Sequence, residues 1–224
     1  MRALIILPQH NSPGKRDVTG AFRPEAKRFA ESLHERGFST HTHAFDNKAS
    51  KAKRRAEVER AIWEGVFHSD GIGIDGLWDV VAFFCHGFTR GMQTGHDMAT
   101  VGDLAETIAL RSSDTVVVPL YACSTASTRT GAPGGDGGFA DALRDALSER
   151  GKRGHVDAHD TVAHTTKNPR VRRFWMDGEA AGTGGDWIVA PGSPKWRAWR
   201  AALKGPMRFA FPFMSPAEVD GALS

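Results

Sequence analysis

The two cysteines and a neighbouring histidine are the side chains of this chain best suited to nucleophilic chemistry. Cys85 and His86 directly follow the apolar run 80–84, and Cys123 closely follows a second apolar run, 116–120. A thiol becomes a nucleophile when a base removes its proton, and the imidazole of His86 is a suitable base. The pattern predicts a thiol–imidazole pair if both runs are neighbouring strands whose ends meet.

Gly87 would add electrostatic stabilisation to such a site. Its amide is not shielded by a Cβ, and together with the amide of Cys123 it could donate hydrogen bonds to the oxyanion of a tetrahedral intermediate. Side chains alternate along a strand, so Cys85 and His86 face opposite ways and we place only His86 in the site. The alternative interpretation makes His86 a hydrogen-bonded residue at a strand end and Cys123 a small buried hydrophobe.

Alternating strands and helices must position these groups. The predicted strands cover residues 3–7, 38–45, 78–85, 114–123 and 156–166, and the predicted helices cover 24–36, 48–67, 101–110, 139–147 and 194–203. This alternation predicts an α/β fold with a mostly parallel central sheet and helices on both faces. Ligands of such sheets bind outside the carboxyl ends of the strands, where both apolar runs end. Pro119 predicts a bulge or a strand end, because proline removes a ladder donor.

Size and composition predict one soluble domain over residues 1–224, with 191–224 as a C-terminal extension packed on it. The chain has 224 residues, of which 40% are hydrophobic and 25% charged, and this average balance excludes disordered and fibrous proteins. The longest apolar run, 80–85, is far shorter than the roughly 18 residues of a membrane helix, so no membrane partner is predicted. Two cysteines are too few for the disulfide framework of a small secreted protein, and this favours a cytoplasmic location.

The histidines do not indicate a metal site, and no cofactor is predicted. His155 and His159 lie four apart in a segment that alternates like a strand, where that spacing is about 13 Å and prevents them from sharing an ion. The glycine-rich stretch 131–138 lacks the Lys-Ser/Thr ending of a phosphate-binding loop.

Basic residues form two clusters, but they do not predict a nucleic-acid partner. The net charge is only +3, and glutamates interrupt the first cluster, so a solvated helix face is the favoured interpretation. The clusters comprise Lys48, Lys51, Lys53, Arg54 and Arg55, and then Arg170, Arg172 and Arg173.

The two apolar runs, the first ending in His86-Gly87 and the second in Ala122-Cys123, resemble the active-site signature of the caspase-like cysteine peptidases. This group includes caspases, metacaspases, legumains, clostripain and gingipains. The resemblance implies a caspase-like three-layer sandwich, with His86 as catalytic base, Cys123 as nucleophile and the amides of Gly87 and Cys123 as oxyanion hole. It further implies an endopeptidase that acts on protein or peptide substrates through a thioester acyl-enzyme. The alternative is an inactive caspase-like scaffold that binds a protein partner.

Residues 162–170 and 185–187 are also similar to the segment of legumains that leads to Gly-Asp-Trp. That likeness implies that Asp186 lines the primary specificity pocket and that Arg16, in the loop after the first strand, contributes to it. Tyr121 stands two residues before the nucleophile, where metacaspases and clostripain carry Asp and caspases carry Gln, and is the third substrate-binding candidate. A preference for Asn or for a basic residue stays open, as does the oligomeric state.

Overall fold

The computed structural model describes residues 1–10, 20–64, 76–128, 130–178 and 182–224. In these ranges the strands are β1 (Arg2–Pro8), β2 (Ser39–Phe45), β3 (Trp78–Phe84), β4 (Gly87–Phe88), β5 (Gly91–Met92), β6 (Ser112–Tyr121), β7 (His155–His159), β8 (Val171–Trp175) and β9 (Asp186–Trp187). The helices are α1 (Phe22–Glu35), α2 (Lys51–Glu64), α3 (Val101–Arg111), α4 (Phe139–Ser148), α5 (Trp196–Ala202), α6 (Met207–Ala210) and α7 (Pro216–Ala222).

The described strands form one sheet in the order β2-β1-β3-β6-β7-β8-β9, with β4 and β5 as a separate hairpin. Strands β2, β1, β3, β6 and β7 run parallel, while β8 and β9 are antiparallel additions at one edge. The predicted α/β fold with a mostly parallel central sheet is confirmed. Strand β2 lies on one side of β1 and β3 lies on the other, so the direction in which strands are added reverses at β1. A crevice at the carboxyl ends of β1 and β3 is the expected ligand position in such a sheet.

Helices cover both faces of the sheet and give it three layers. On one face, α2, α3 and α4 bury an apolar core against the sheet, with Ile62, Leu104 and Leu143 among its fully buried side chains. On the other face, α1 and the C-terminal helices bury a second core that includes Phe29 and Trp199. The inner strands are apolar on both faces because both are covered.

Residues 191–224 pack on this second core through buried polar contacts as well as apolar ones. Arg173 donates hydrogen bonds to both carboxylate oxygens of Asp157, at 2.8 and 2.9 Å, and to the backbone carbonyls of Phe211 and Met214. Burial acts to raise the pKa of Asp157, but the Arg173 guanidinium outweighs it and lowers that pKa to about 2. The pair stays charged and fixes the C-terminal segment to β7 and β8.

The structure differs from the sequence prediction at two places in the sheet. A strand begins where the strand over 156–166 was predicted, but it is shorter. Strand β7 ends at His159, and the amide of Asp160 then bonds the carbonyl of Arg170 at 2.9 Å, closing a loop into β8. The strand end or bulge predicted at Pro119 is wrong. Strand β6 continues to Tyr121, and the irregularity lies at the other end of its pairing with β3, near Trp78.

Across the described ranges, no helix combines the length and the apolar character that a membrane crossing requires.

Candidate active site

The register of two neighbouring strands places His86 and Cys123 opposite each other. Phe84 pairs with Tyr121 at the carboxyl ends of β3 and β6, and His86 and Cys123 each follow two residues later. Both residues lie just beyond their strands, which end at Phe84 and Tyr121. The ring of His86 lies 5.1 Å from that of Phe22 on α1, which covers one face of the sheet. His86 and Cys123 thus follow neighbouring strands at the same carboxyl edge of the sheet, with the His86 ring on the α1 side.

A close backbone approach at Gly87 holds the two segments together beyond the strands. A Cβ placed on Gly87 would overlap the carbonyl oxygen of Cys123 and would lie 2.8 Å from the carbonyl carbon of Ala122. Real Cβ atoms do not approach backbone atoms so closely, so a glycine is required at this position for the observed packing. Gly87 therefore lies against the residue that carries the thiol.

The amide of Gly87 is left outside the β4–β5 ladder. The amide of Gln93 bonds the carbonyl of His86 at 2.8 Å, which makes these two residues a hydrogen-bonded pair. Gly87 and Met92 are then the next, non-bonded pair, and the Met92 amide indeed points away to the carbonyl of His96 at 2.9 Å. The amide of Gly87 therefore also points out of the hairpin, away from β5.

A strained turn presents Cys123 at the end of β6. Ser124 has a φ of 58°, and it is the single non-glycine residue with positive φ in the described ranges. Two hydrogen bonds fix the turn. The Thr125 hydroxyl donates to the carbonyl of Ala122 at 2.9 Å, and the amide of Ala126 donates to the carbonyl of His159 at 3.0 Å. Strain of this kind persists where surrounding contacts hold it, and it is common at functional sites. Ser124 was not singled out by any pattern in the sequence.

The two thiols differ in their environment. Cys85 is 1% exposed in the core beneath α2 and α3, and burial raises the pKa of its thiol to about 12 despite backbone hydrogen bonds from Gln93 and Thr94. Cys123 is partly exposed at the sheet edge. Since the thiolate is the reactive form, burial makes Cys85 the less reactive of the two thiols, and Cys123 is the accessible one.

The β4–β5 hairpin fixes the backbone on which His86 stands. The His86 amide donates to the side-chain oxygen of Gln93 at 3.2 Å, while the Gln93 amide donates back to the carbonyl of His86. Gln93 is a positioning residue that sequence reasoning missed. Its only signal was its place in a glycine-punctuated hairpin after the histidine.

The loop between β7 and β8 contacts the thiol directly. The sulfur of Cys123 donates to the carbonyl of Ala163 at 3.5 Å. Further along this loop, the Thr166 hydroxyl donates to Glu25 on α1 at 2.5 Å, and Arg208 donates to the same carboxylate at 2.9 Å. Burial acts to raise the pKa of Glu25, but these hydrogen bonds outweigh it and lower that pKa. The loop is therefore tied to α1 and to the C-terminal segment.

Tyr121 does not belong to the surface of this site. It is 2% exposed, stacks on Phe84 with 4.5 Å between ring centroids, and donates its hydroxyl hydrogen to the carbonyl of Arg208 at 3.0 Å. Burial raises the pKa of its phenol well above the usual value. The structure thus corrects the expectation that Tyr121 contacts substrate. It is the last residue of β6, two residues before Cys123, and its ring packs on Phe29 of α1.

Asp186 is exposed but lies apart from the nucleophile in the sheet. It stands on β9, opposite Arg173, and β9 is three strand positions from β6, or about 14 Å across the sheet. The charge of the Asp186 carboxylate acts to raise the pKa of Arg172. The guanidinium carbon of Arg172 lies 3.6 Å from the centroid of the Trp187 ring. The other candidate specificity residue, Arg16, lies outside the described residues.

The second basic cluster of the sequence is largely neutralised. Arg173 pairs with Asp157, while Arg170 and Arg172 lie 3.1 and 3.5 Å from the carboxylate of Asp160. Among the residues that the structure describes, no group of three or more His, Cys, Asp or Glu side chains could hold a metal ion.

The structure therefore brings together His86, Gly87, Cys123 and Ala163 at the carboxyl edge of the sheet. No protein-family model matches this chain, and no curated protein matches its sequence. A partly exposed thiol and an imidazole thus follow neighbouring strands at one edge of the sheet.

Proposed function

We propose that this protein is a caspase-like cysteine endopeptidase in which Cys123 attacks peptide bonds and His86 transfers the proton. The observation that carries the proposal is the pairing of Phe84 with Tyr121, because it brings the segments that carry His86 and Cys123 together at one edge of the sheet. The burial of Cys85 supports Cys123 as the nucleophile. The close approach of Gly87 supports an oxyanion hole beside it.

The reaction follows from these groups. His86 takes the proton of the Cys123 thiol, which exchanges its resting contact with the carbonyl of Ala163 for the imidazole. The thiolate attacks the carbonyl carbon, and the amides of Gly87 and Cys123 donate to the oxyanion that forms. His86 then gives its proton to the leaving amine, which leaves a thioester. Water, deprotonated by His86, hydrolyses the thioester and restores the thiol.

Protein or peptide chains are the proposed substrates, and the cytoplasm is the proposed location. Cys85 and Cys123 are both free thiols, as a reducing compartment would keep them. The lateral displacement of Asp186 makes it a candidate for a subsite remote from the scissile bond, rather than for a contact beside Cys123.

Hydrolysis of a mixed peptide library by matched variants tests the proposal. Cys123→Ala and His86→Ala should each lower the rate by at least about 10³-fold, because each removes a group that takes part in bond breaking. Cys85→Ala is the matched control, and its rate should stay within a few-fold of wild type. Hydrolysis that survives Cys123→Ala would contradict the proposal. Stable capture of uncleaved polypeptides by the wild type would favour the scaffold alternative.

A further inference from the structure

A groove lined by four cations lies beside the loop that contacts the thiol. Its volume is about 430 Å³, and its described lining consists of Lys167, Pro169, Arg197, Arg200, Ala201 and Lys204. The four cationic side chains are exposed, and none of them forms a salt bridge within the described ranges. The described lining includes no carboxylate. We call this surface the basic groove.

Helix stability explains only part of this arrangement. Arg200 lies in the last turn of α5, where the helix dipole favours a cation, and Lys204 lies two residues beyond the helix. Arg197 and Arg200, three residues apart on one helix face, repel by about 0.2–0.5 kcal/mol. The chain carries 26 acidic residues but brings none of them into the described groove lining. An anionic partner would offset the repulsion.

The groove lies at the same sheet edge as Cys123, and a hydrogen bond joins α5 to the loop between β7 and β8. The indole of Trp199, fully buried on the inner side of α5, donates to the carbonyl of Pro169 at 2.8 Å. Lys167 follows four residues after Ala163, whose carbonyl contacts the Cys123 sulfur. Four extended residues span at most about 14 Å. The backbone of Lys167 in the groove therefore lies within about 14 Å of that of Ala163, the residue that the thiol contacts.

We propose that the basic groove binds an acidic segment of the polypeptide substrate that lies a few residues from the scissile bond. This inference rests on the proposed function, because it assigns the groove to the chain that occupies the site at Cys123. Nucleic acid is the less suitable ligand. The seven residues of α5 are about 10 Å long, which is too short for a run of phosphate contacts. The described lining also offers no aromatic side chain on which a base could stack.

Binding of a probe peptide to an inactive protein separates this inference from catalysis. A fluorescein-labelled hexaglutamate peptide is titrated with the Cys123→Ala protein at low salt, and anisotropy is measured. Arg197→Glu/Arg200→Glu, made in the same background, should weaken binding by at least about tenfold, because it replaces attraction by repulsion at two exposed contacts. Higher ionic strength should weaken binding to the parent protein. A hexaglutamine peptide should not bind.

The matched control variant carries the same change of charge elsewhere. Lys53 and Arg60 are exposed on α2, against the other face of the sheet. Lys53→Glu/Arg60→Glu should retain the parent affinity, and circular dichroism should show both variants folded. Equal weakening by the two double variants, or no binding to the parent protein, would overturn the inference. Tighter binding of a single-stranded oligonucleotide, lost in the groove variant, would overturn it in favour of nucleic acid. Loss of hydrolysis in Cys123→Ala bears only on the proposed function.

Discussion

Burial distinguishes the two cysteines of this chain, because one thiol is enclosed in the core and the other is partly exposed. Cys85 lies under two helices and its thiol has a pKa of about 12, whereas Cys123 is partly exposed two residues beyond β6. Strand alternation in the sequence already placed Cys85 and His86 on opposite faces. The burial of Cys85 could not be read from its neighbours, because it depends on helices that are distant in the chain.

The buried imidazole of His159, close to the site, makes the free energy of unfolding depend on pH. It is 2% exposed, and burial lowers the pKa of its imidazole to about 4, although Nε2 donates to the carbonyl of Thr165 at 2.8 Å. Between its ordinary pKa of about 6.5 and pH 4, the unfolded chain takes up a proton that the folded chain does not. Stability is therefore lost as the pH falls, by about 2 kcal/mol between pH 7 and pH 5.

Urea unfolding at pH 7 and pH 5 measures this effect. His159→Gln keeps a donor for Thr165 but does not titrate, so its loss of stability between the two pH values should be smaller by about 2 kcal/mol. His34→Gln, on the exposed face of α1, is the control for removal of a histidine and should retain the wild-type difference. The same pH dependence in wild type and His159→Gln would contradict the assignment.

At the scale of elements, the pairing of β3 with β6 positions His86 beside Cys123, and the β4–β5 hairpin fixes the backbone of His86. The apolar runs 80–84 and 116–120 predicted both strands, and their lengths set where the chemistry begins. The hairpin could not be predicted, since it has only two residues in each strand. The parallel order of strands made the meeting of the two ends predictable, but the contact of Gly87 with Cys123 required coordinates.

Gly87→Ala tests the close approach between these elements. The added methyl group would overlap the backbone of Ala122 and Cys123 and would push the two segments apart. A displacement of about 1 Å at reacting groups costs on the order of 10²-fold in rate, and we expect a loss of this size in kcat with the fold retained. Gly102→Ala on α3 is the control, because a Cβ there meets nothing within 4 Å. Full activity in Gly87→Ala would contradict the proposed packing.

At the scale of the whole molecule, polar contacts between distant segments fix the site. Glu25 joins α1 to the β7–β8 loop and to Arg208, while Arg173 fixes the C-terminal segment to the sheet. The α/β class and the layering were predictable from alternating apolar runs. The end of β7 at His159 and the antiparallel edge strands were not, because a loop that bonds Asp160 to Arg170 has no periodic signal. Tyr121 was misassigned because the depth of a strand residue depends on the helix above it.

The reactivity of Cys123 toward a small electrophile tests the central claim most directly. Folded wild-type protein and His86→Ala are treated with iodoacetamide at pH 7, and modification of each cysteine is followed over time by peptide mass spectrometry. Cys123 should react while Cys85 stays unmodified, and His86→Ala should slow the reaction at Cys123 by at least about tenfold. Equal rates at Cys123 in the two proteins, or modification of Cys85 as fast as Cys123, would contradict a shared site for the thiol and the imidazole.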